Sequence, residues 1–192
     1  MKGIAFTKMV AAGNDFIVIE RKHALAKSRN FGDFARKLCD RKRGIGADGV
    51  LLLEKSRKAD LLMRIINADG SEAEMCGNGA RCAVLYASTM RSMRNKKHIR
   101  LQTRAGIVES EISHDLVKVK LTDPYALGLD IPLVVNGRAL RINFINTGVP
   151  DAVIFVDGLD SIDVASLGRL IRNHAHFSAR GTNVNFVEIT GN

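Results

Sequence analysis

The residues best suited to chemistry lie in the run Asn67–Cys82, which reads NADGSEAEMCGNGARC. It places Cys76 at a glycine-flanked turn, directly before a segment, Ala80–Met93, whose apolar spacing predicts a helix. Cys76 would then lie beside the first free N–H groups of that helix, where the macrodipole favours negative charge. A thiol in this position is more readily deprotonated, so Cys76 is predicted to be a nucleophile or a base. Gly77 and Gly79 would let a substrate approach the same N–H groups.

Four asparagines stand at predicted loop or strand ends: Asn14 in AAGNDF, Asn67 in NADG, Asn78 in CGNG and Asn183 in GTNVNF. Each of them alone is typical of a turn, because Asn tolerates left-handed backbone. Beside a reactive thiol, however, neutral amides can bind the carboxylate and ammonium groups of an amino acid without perturbing the thiolate as a full charge would. The set therefore indicates an amino-acid site.

Other motifs do not support nucleotide, metal or serine chemistry. Residues 44–49, GIGADG, match the dinucleotide fingerprint G-x-G-x-x-G, but a predicted helix precedes them and a strand follows, which reverses the required order. Residues 44–49 are therefore interpreted as a glycine-rich loop that lines a pocket. Cys76 and Cys82 lack a C-x-x-C pair and the five histidines are scattered, so no metal site is expected. A G-x-S-x-G nucleophile elbow is absent from the sequence.

Composition places the chain among soluble globular proteins. Of its 192 residues, 46% are hydrophobic and 26% are charged, and no apolar run is long enough to cross a bilayer. The N-terminus has no secretory pattern. Three cysteines, an odd number, argue against a disulfide framework and for a reducing compartment, so a cytoplasmic location and no membrane partner are expected.

The formal net charge of +9 raises the question of nucleic acid, and the densest basic run is Met90–Arg100. That run has no interleaved aromatic side chains to stack on bases, and the whole chain has two Tyr and no Trp. The run is interpreted as the solvated end of the predicted helix, where cations suit the carbonyl end of the dipole. No nucleic-acid partner is expected.

Short strands outnumber helices, which predicts an α+β fold of mainly antiparallel strands with a few helices packed against them. Helices are predicted over Phe31–Cys39, Ala80–Met93 and Val164–Asn173, and Asn136-Gly137 predicts a hairpin turn. The last strand ends at a turn, with nothing after it to pair with or cover it. Strands are predicted over Gly3–Lys8, Phe16–Glu20, Val50–Glu54, Leu61–Ile66, His98–Thr103, Ile107–Ile112, Leu116–Thr122, Leu133–Val135, Ala139–Asn146, Ala152–Val156 and Asn183–Ile189.

The motifs AAGNDF, GIGADG and NADGSEAEMCGNGAR, in this order, resemble those of diaminopimelate epimerase, and NTGVPD and GTNVNF resemble landmarks of its second half. The resemblance covers essentially the whole chain. It implies two pseudo-equivalent domains of mainly antiparallel strands wrapped on a central helix, here 1–122 and an incomplete 123–192. It also implies cofactor-independent interconversion of LL- and meso-diaminopimelate, a step in lysine and peptidoglycan precursor biosynthesis, and a homodimer is a further expectation.

The family works with two cysteines on opposite faces of the α-carbon, one taking the proton as a thiolate and the other returning one as a thiol. One base alone would remove and return the proton on the same face. By the resemblance, Cys76 is one of these two catalytic thiols, and the backbone amides after it would hold the α-carboxylate. The residues that match substrate-binding positions are Asn14, Asn67, Gly77, Asn78 and Asn183.

Two departures from the family pattern stand out. Asp151 occupies a position where members often carry a histidine. The second cysteine motif, Cys-Gly-[Ser/Thr]-Gly, is absent from these 192 residues, and neither Cys39 nor Cys82 lies in a glycine-flanked loop. The chain is therefore expected to correspond to the N-terminal two-thirds of an epimerase and, alone, not to epimerise diaminopimelate.

Two alternatives stay open. One is a proline-racemase-like or related isomerase of the same architecture, against which NADGSEAEMCGNGAR argues. The other is a non-catalytic basic binding protein derived from the enzyme, which would bind nucleic acid in a salt-dependent manner through Arg91–Arg100.

Overall fold

The computed structural model describes residues 4–21, 30–177 and 181–191. The chain divides into two compact units, Met1–Leu121 and Thr122–Asn192. None of the helices within the described residues is long and apolar enough to cross a bilayer. Where the first unit is described, its elements are β1 (Thr7–Ala11), β2 (Asn14–Glu20), α1 (Phe31–Cys39), β3 (Gly49–Glu54), β4 (Leu61–Asn67), β5 (Glu72–Ala73), α2 (Gly77–Thr89), β6 (His98–Thr103), β7 (Gly106–Ser113) and β8 (Leu116–Lys120).

The sheet of the first unit wraps around α2. Its strands run in the order β1-β2-β3-β4-β6-β7-β8, with β5 added beside β4, and all pairs are antiparallel except β2–β3 and β4–β6. Every strand in this order contacts α2. The helix is buried almost all round because its inward residues are mostly small, so that strands can approach it closely; they are Gly79, Ala80, Cys82, Ala83, Val84 and Ala87.

Both faces of this sheet are covered over β2, β3 and β4, as the near-continuous apolar runs of β2 and β3 require. Side chains of one parity, such as Val18 and Leu51, face α2, and those of the other, such as Ile17 and Val50, face α1. Helix α1 begins where the sequence predicts it, since the side chain of Asn30 accepts a hydrogen bond from the Asp33 amide at 3.0 Å. The central helix and the predominance of antiparallel pairs confirm the predicted α+β class.

Strand β1 and helix α2 lie at positions that differ from the prediction. Strand β1 lies at Thr7–Ala11 rather than Gly3–Lys8, because a two-residue turn, Ala12 (φ 47°) and Gly13 (φ 84°), fixes its register on β2. Helix α2 starts three residues earlier than predicted. It also ends at Thr89, where extended backbone at Met90 terminates it.

The basic run Met90–Arg100 is consequently not the end of a helix. It forms turns after α2 and then enters β6, with Met93 buried and the Lys96 ammonium 2.5 Å from Asp60 Oδ1. Most other side chains of Met90–Arg100 are exposed, and the run connects α2 to β6.

Over residues 122–177 and 181–191, the second unit is a four-stranded sheet with one α-helix. Its core joins Ile142, Ala152 and Ile154 of the sheet to Ile171 of the helix, and the predicted turn at Asn136-Gly137 is confirmed by positive φ at both residues. The sheet order is β12-β11-β10-β9. Its elements are β9 (Tyr125–Val135), β10 (Arg138–Asn146), β11 (Pro150–Phe155), a 3₁₀ turn (Leu159–Ser161), α3 (Val164–Arg172) and β12 (Asn183–Val187).

The last strand finds its pairing partner earlier in the sequence, not after it. β12 pairs in parallel with β11, with Asp151 opposite Asn183, because the α3 crossover returns the chain to the same edge of the sheet. β9 is also longer than predicted, since it follows β10 through register shifts between Ile142 and Asn146.

Candidate active site

Cys76 is the N-cap residue of α2. Its backbone is extended (φ −149°, ψ 119°), its Sγ accepts a hydrogen bond from the Gly79 amide at 3.4 Å, and its carbonyl accepts from the Ala80 amide at 2.8 Å. The thiol is half-buried and lies where the sequence predicts it, beside the first N–H groups of the helix. The Gly79 amide thus points at the sulfur from the first turn of the helix.

The two glycines after Cys76 do different things. A Cβ on Gly77 would meet only Leu121, at an ordinary 3.7 Å, so this glycine leaves the start of the helix open. A Cβ on Gly79 would stand 3.2 Å from Leu51 Cδ2 and 3.8 Å from Cys76 Sγ. Gly79 therefore packs closely against Leu51, and its backbone amide caps the thiol. That it also opens the N–H groups to a substrate stays a prediction.

Asn14 and Asn78 are in direct contact although 64 residues separate them in sequence. The Asn78 side-chain amide donates to Asn14 Oδ1 at 2.7 Å, and Arg81 Nη1 donates to Asn78 Oδ1 at 2.7 Å. Asn14 is the first residue of β2, placed there by the tight turn before it, and Asn78 lies in the first turn of α2. The fold thus brings these two predicted residues together next to Cys76.

Asn67 ends β4 at the same edge of the sheet. It lies opposite Gly49 in the β3–β4 pairing, and its side-chain amide donates to Ser71 Oγ at 3.0 Å. The next residue, Ala68, donates its amide to the Asp48 carbonyl at 3.0 Å. Of the six predicted site residues, the five in the first unit therefore lie at one end of its sheet and helix.

A charged cluster supports this edge, and sequence reasoning missed it. Arg41 binds both carboxylate oxygens of Asp15, at 3.1 and 2.8 Å, and one oxygen of Asp48, at 2.9 Å. Lys8 adds a second cation, with Nζ 2.9 Å from Asp15 Oδ2. The Arg41 and Lys8 contacts hold the pKa of Asp15 well below its usual range. The sequence signal was Asp48 itself, a carboxylate inside the GIGADG loop.

The other two cysteines are poorly placed for proton transfer. Cys39 on α1 is 4% exposed and Cys82 on α2 is 2% exposed. Burial raises the pKa of each thiol to about 11. Among the three free cysteines, Cys76 alone combines accessibility with a cap position.

Asn183, the sixth predicted residue, begins β12 in the second unit and is exposed. Its cross-strand neighbour Asp151 accepts hydrogen bonds from Thr147 Oγ1 at 3.1 Å and from Asn185 Nδ2 at 3.3 Å. Asp151 is thus held by polar groups of its own unit. Within residues 4–21, 30–177 and 181–191, no three His, Cys, Asp or Glu side chains converge in a way that could hold a metal ion.

Comparison with known proteins identifies close sequence relatives. A sequence model of the family described as "Diaminopimelate epimerase" matches residues 6–127. Diaminopimelate epimerase of Carboxydothermus hydrogenoformans is 42% identical over 197 residues, covering 96% of this chain and 71% of that protein. The enzyme of Methanocella arvoryzae is 43% identical over 202 residues, covering 100% of this chain and 72% of that protein.

Solved structures share the fold at much lower identity. A probable proline racemase from Agrobacterium radiobacter, with bound carbonate, superposes with a TM-score of 0.64 at 15% identity, covering 94% of this chain and 65% of that one. A hydroxyproline epimerase from Agrobacterium vitis, with bound trans-4-hydroxy-L-proline, gives a TM-score of 0.60 at 18% identity, covering 86% of this chain and 55% of that one. At such identities the likeness is one of fold.

Proposed function

Since the chain belongs to the diaminopimelate epimerase family, we propose that its substrate is diaminopimelate and that Cys76 exchanges a proton with the α-carbon. The observation that carries this proposal is the meeting of three features at one edge of the first unit. They are a capped, half-buried thiol, the start of α2, and the directly bonded amides of Asn14 and Asn78.

The proposed chemistry follows from these positions. Cys76, as thiolate, takes the α-proton, and the electron pair left on carbon is delocalised into the α-carboxylate. The amides of Gly77 and Asn78 lie in the first turn of α2, before the Ala80 amide that makes the first intrahelical hydrogen bond, and would receive that carboxylate. Because negative charge grows on the carboxylate as the proton leaves, donors aimed at it stabilise the transition state more than the ground state.

Inversion needs a second acid on the opposite face of the carbon. Cys39 and Cys82 are buried and their thiols have a pKa of about 11, so neither is suited to return a proton. We therefore propose that these 192 residues hold one thiol of a two-thiol pair. On their own they would exchange the α-hydrogen without forming meso product.

Asn67, Gly77 and, from the second unit, Asn183 are proposed to contact the substrate, within epimerase domains spanning 1–122 and 123–192. The activity is proposed to serve lysine and peptidoglycan precursor biosynthesis in the cytoplasm, without a cofactor. Homodimer formation is a further proposal.

The test is solvent exchange. The 192-residue chain is incubated with LL-diaminopimelate in heavy water, with L-proline as a control substrate. Mass spectrometry then measures α-deuterium, and chiral chromatography measures meso product. We expect deuterium in LL-diaminopimelate, none in proline, and no meso product. Absence of deuterium would refute the proposed role of Cys76, and meso product would refute the one-thiol assignment. Exchange into proline alone would favour the racemase alternative.

A further inference from the structure

Four side chains form a hydrogen-bonded relay with a single direction, running from a cation to a carboxylate. Arg81 Nη1 donates to Asn78 Oδ1 at 2.7 Å and Asn78 Nδ2 donates to Asn14 Oδ1 at 2.7 Å. Asn14 Nδ2 then donates to Asp48 Oδ2 at 3.2 Å. We call Arg81-Asn78-Asn14-Asp48 the relay. In each of its three hydrogen bonds, the donor lies on the Arg81 side and the acceptor on the Asp48 side.

The two ends dictate the orientation of both amides. A guanidinium can only donate hydrogen bonds and an ionised carboxylate can only accept them, whereas an Asn amide offers a donor on one side and an acceptor on the other. Turning either amide over would place two donors or two acceptors against each other. Arg81 and Asp48 therefore select one of the two nearly isosteric orientations of Asn78 and Asn14.

Asp48 is itself held from several sides. Its Oδ2 also accepts the Asp15 amide at 3.0 Å, its Oδ1 receives Arg41 Nη2 at 2.9 Å, and its own amide donates to the Asp15 carbonyl at 2.9 Å and side chain at 3.0 Å. The glycine-rich loop 44–49 ends at this point. Such anchoring makes Asp48 a fixed acceptor, although its side chain is 41% exposed.

The relay leaves defined groups for a ligand. After their relay bonds, Asn78 and Asn14 each retain one N–H and one carbonyl lone pair. We propose that Asp48 is a positioning residue, which together with Arg81 presents these groups in a fixed pattern to the ammonium and carboxylate of the substrate. The proposal rests on the proposed function for the identity of that substrate.

The first test removes each end of the relay. Asp48→Asn is isosteric but can donate as well as accept, so the direction of the relay is no longer imposed. Arg81→Met removes the cationic donor from an exposed position, and Arg81→Lys retains one. The matched control is Asp60→Asn. Asp60 likewise pairs with a cation, Lys96, and accepts a backbone amide, that of Arg100 at 2.8 Å, but it takes no part in the relay.

Two readouts are needed, on the 192-residue chain. The first is the NMR spectrum of the Asn14 and Asn78 side-chain amides without ligand, which reports their hydrogen bonds directly. The second is the Kd for LL-diaminopimelate. We expect Asp48→Asn and Arg81→Met to shift both amides and to raise the Kd about tenfold, the scale of one hydrogen bond to a charged group. Arg81→Lys should remain near wild type, and Asp60→Asn should change neither readout.

The amide resonances test whether the relay exists, and the Kd tests whether it contributes to binding. Unchanged amide resonances in Asp48→Asn and Arg81→Met would overturn the relay, and shifted resonances with an unchanged Kd would overturn its role in binding. Should Asp48→Asn fail to fold, the two Arg81 variants answer the same question from the opposite end. If the wild-type chain itself does not bind diaminopimelate, the proposed function is wrong, and the amide resonances alone decide whether Asp48 orients the pair.

Discussion

Alkylation of the folded protein should distinguish its three thiols sharply. The thiolate is the species that reacts with iodoacetamide, so the rate at each cysteine follows its ionised fraction and its access. Burial raises the pKa of Cys39 and Cys82 to about 11, from an ordinary value of 9.0. Both side chains are also less than 5% exposed, whereas Cys76 is half-buried at the start of α2.

The expected difference in alkylation rate follows from the ionised fraction of each thiol. At pH 8, a thiol of pKa 11 is ionised in about one molecule in a thousand, against about one in ten for an ordinary thiol. Cys39 and Cys82 should thus react at least about 100-fold more slowly than a free cysteine in solution, and burial should slow them further. Cys76 is expected to carry nearly all of the early label.

Quenched time points analysed by peptide mass spectrometry give the three rates. A parallel reaction in concentrated urea should label all three cysteines at similar rates, which shows that the differences belong to the fold. Labelling of Cys39 or Cys82 as fast as Cys76 in the folded protein would refute the claim that one accessible thiol exists in these 192 residues.

Three further predictions concern stability. Cys76→Ala removes the N-cap acceptor of α2 and should lower the free energy of unfolding by about 1 kcal/mol, whereas Cys76→Ser should leave it unchanged. Urea titration followed by circular dichroism measures both values, and equal losses in the two variants would contradict the capping role of Cys76. In the same titration, Gly44→Ala should lower the free energy of unfolding by at least about 2 kcal/mol, because its Cβ would lie 2.6 Å from the Leu38 carbonyl oxygen. Gly168→Ala inside α3 should instead raise it by about 0.5–1 kcal/mol, because a Cβ there meets only Phe186, at 3.8 Å. The folded-state pKa of Asp15 is depressed, so its contribution to the free energy of unfolding is present above the unfolded pKa near 3.8 and is lost as the pH falls below that value. Asp15→Asn should therefore flatten the loss of stability below about pH 4. An unchanged acid profile would contradict the Asp15–Arg41 pairing.

Local features of the fold were predictable from the sequence because local chemistry decides them. Helix α1 follows from its Asn30 cap and its apolar spacing, and the position of Cys76 follows from a glycine-rich turn before a helix-forming segment. The Asn136-Gly137 hairpin follows from a turn that requires positive φ. In each case the deciding residues lie within a few positions of each other.

Long-range placement could not be predicted in the same way. Periodicity alone misplaced β1, whose register depends on the Ala12-Gly13 turn, and it gave no sign that β12 pairs with β11 across the α3 crossover. The carboxylate of Asp48 meets Asn14 and Asp15 across more than 30 residues of sequence, so only the folded sheet shows that they form one network. The roles of all six predicted site residues, the effect of Asp151 and the two-domain assignment stay predictions.

The central claim is that the Cys76 thiol moves the α-proton, and Cys76→Ser tests it most directly. Serine retains the N-cap acceptor, so the helix start and the Asn14–Asn78 pair should stay in place while the acid–base thiol is lost. The measurement is the rate of α-deuterium entry into LL-diaminopimelate in heavy water, compared with the wild-type chain. We predict a fall of at least about 100-fold, the usual scale of general acid–base catalysis. Exchange at the wild-type rate in Cys76→Ser would contradict the account.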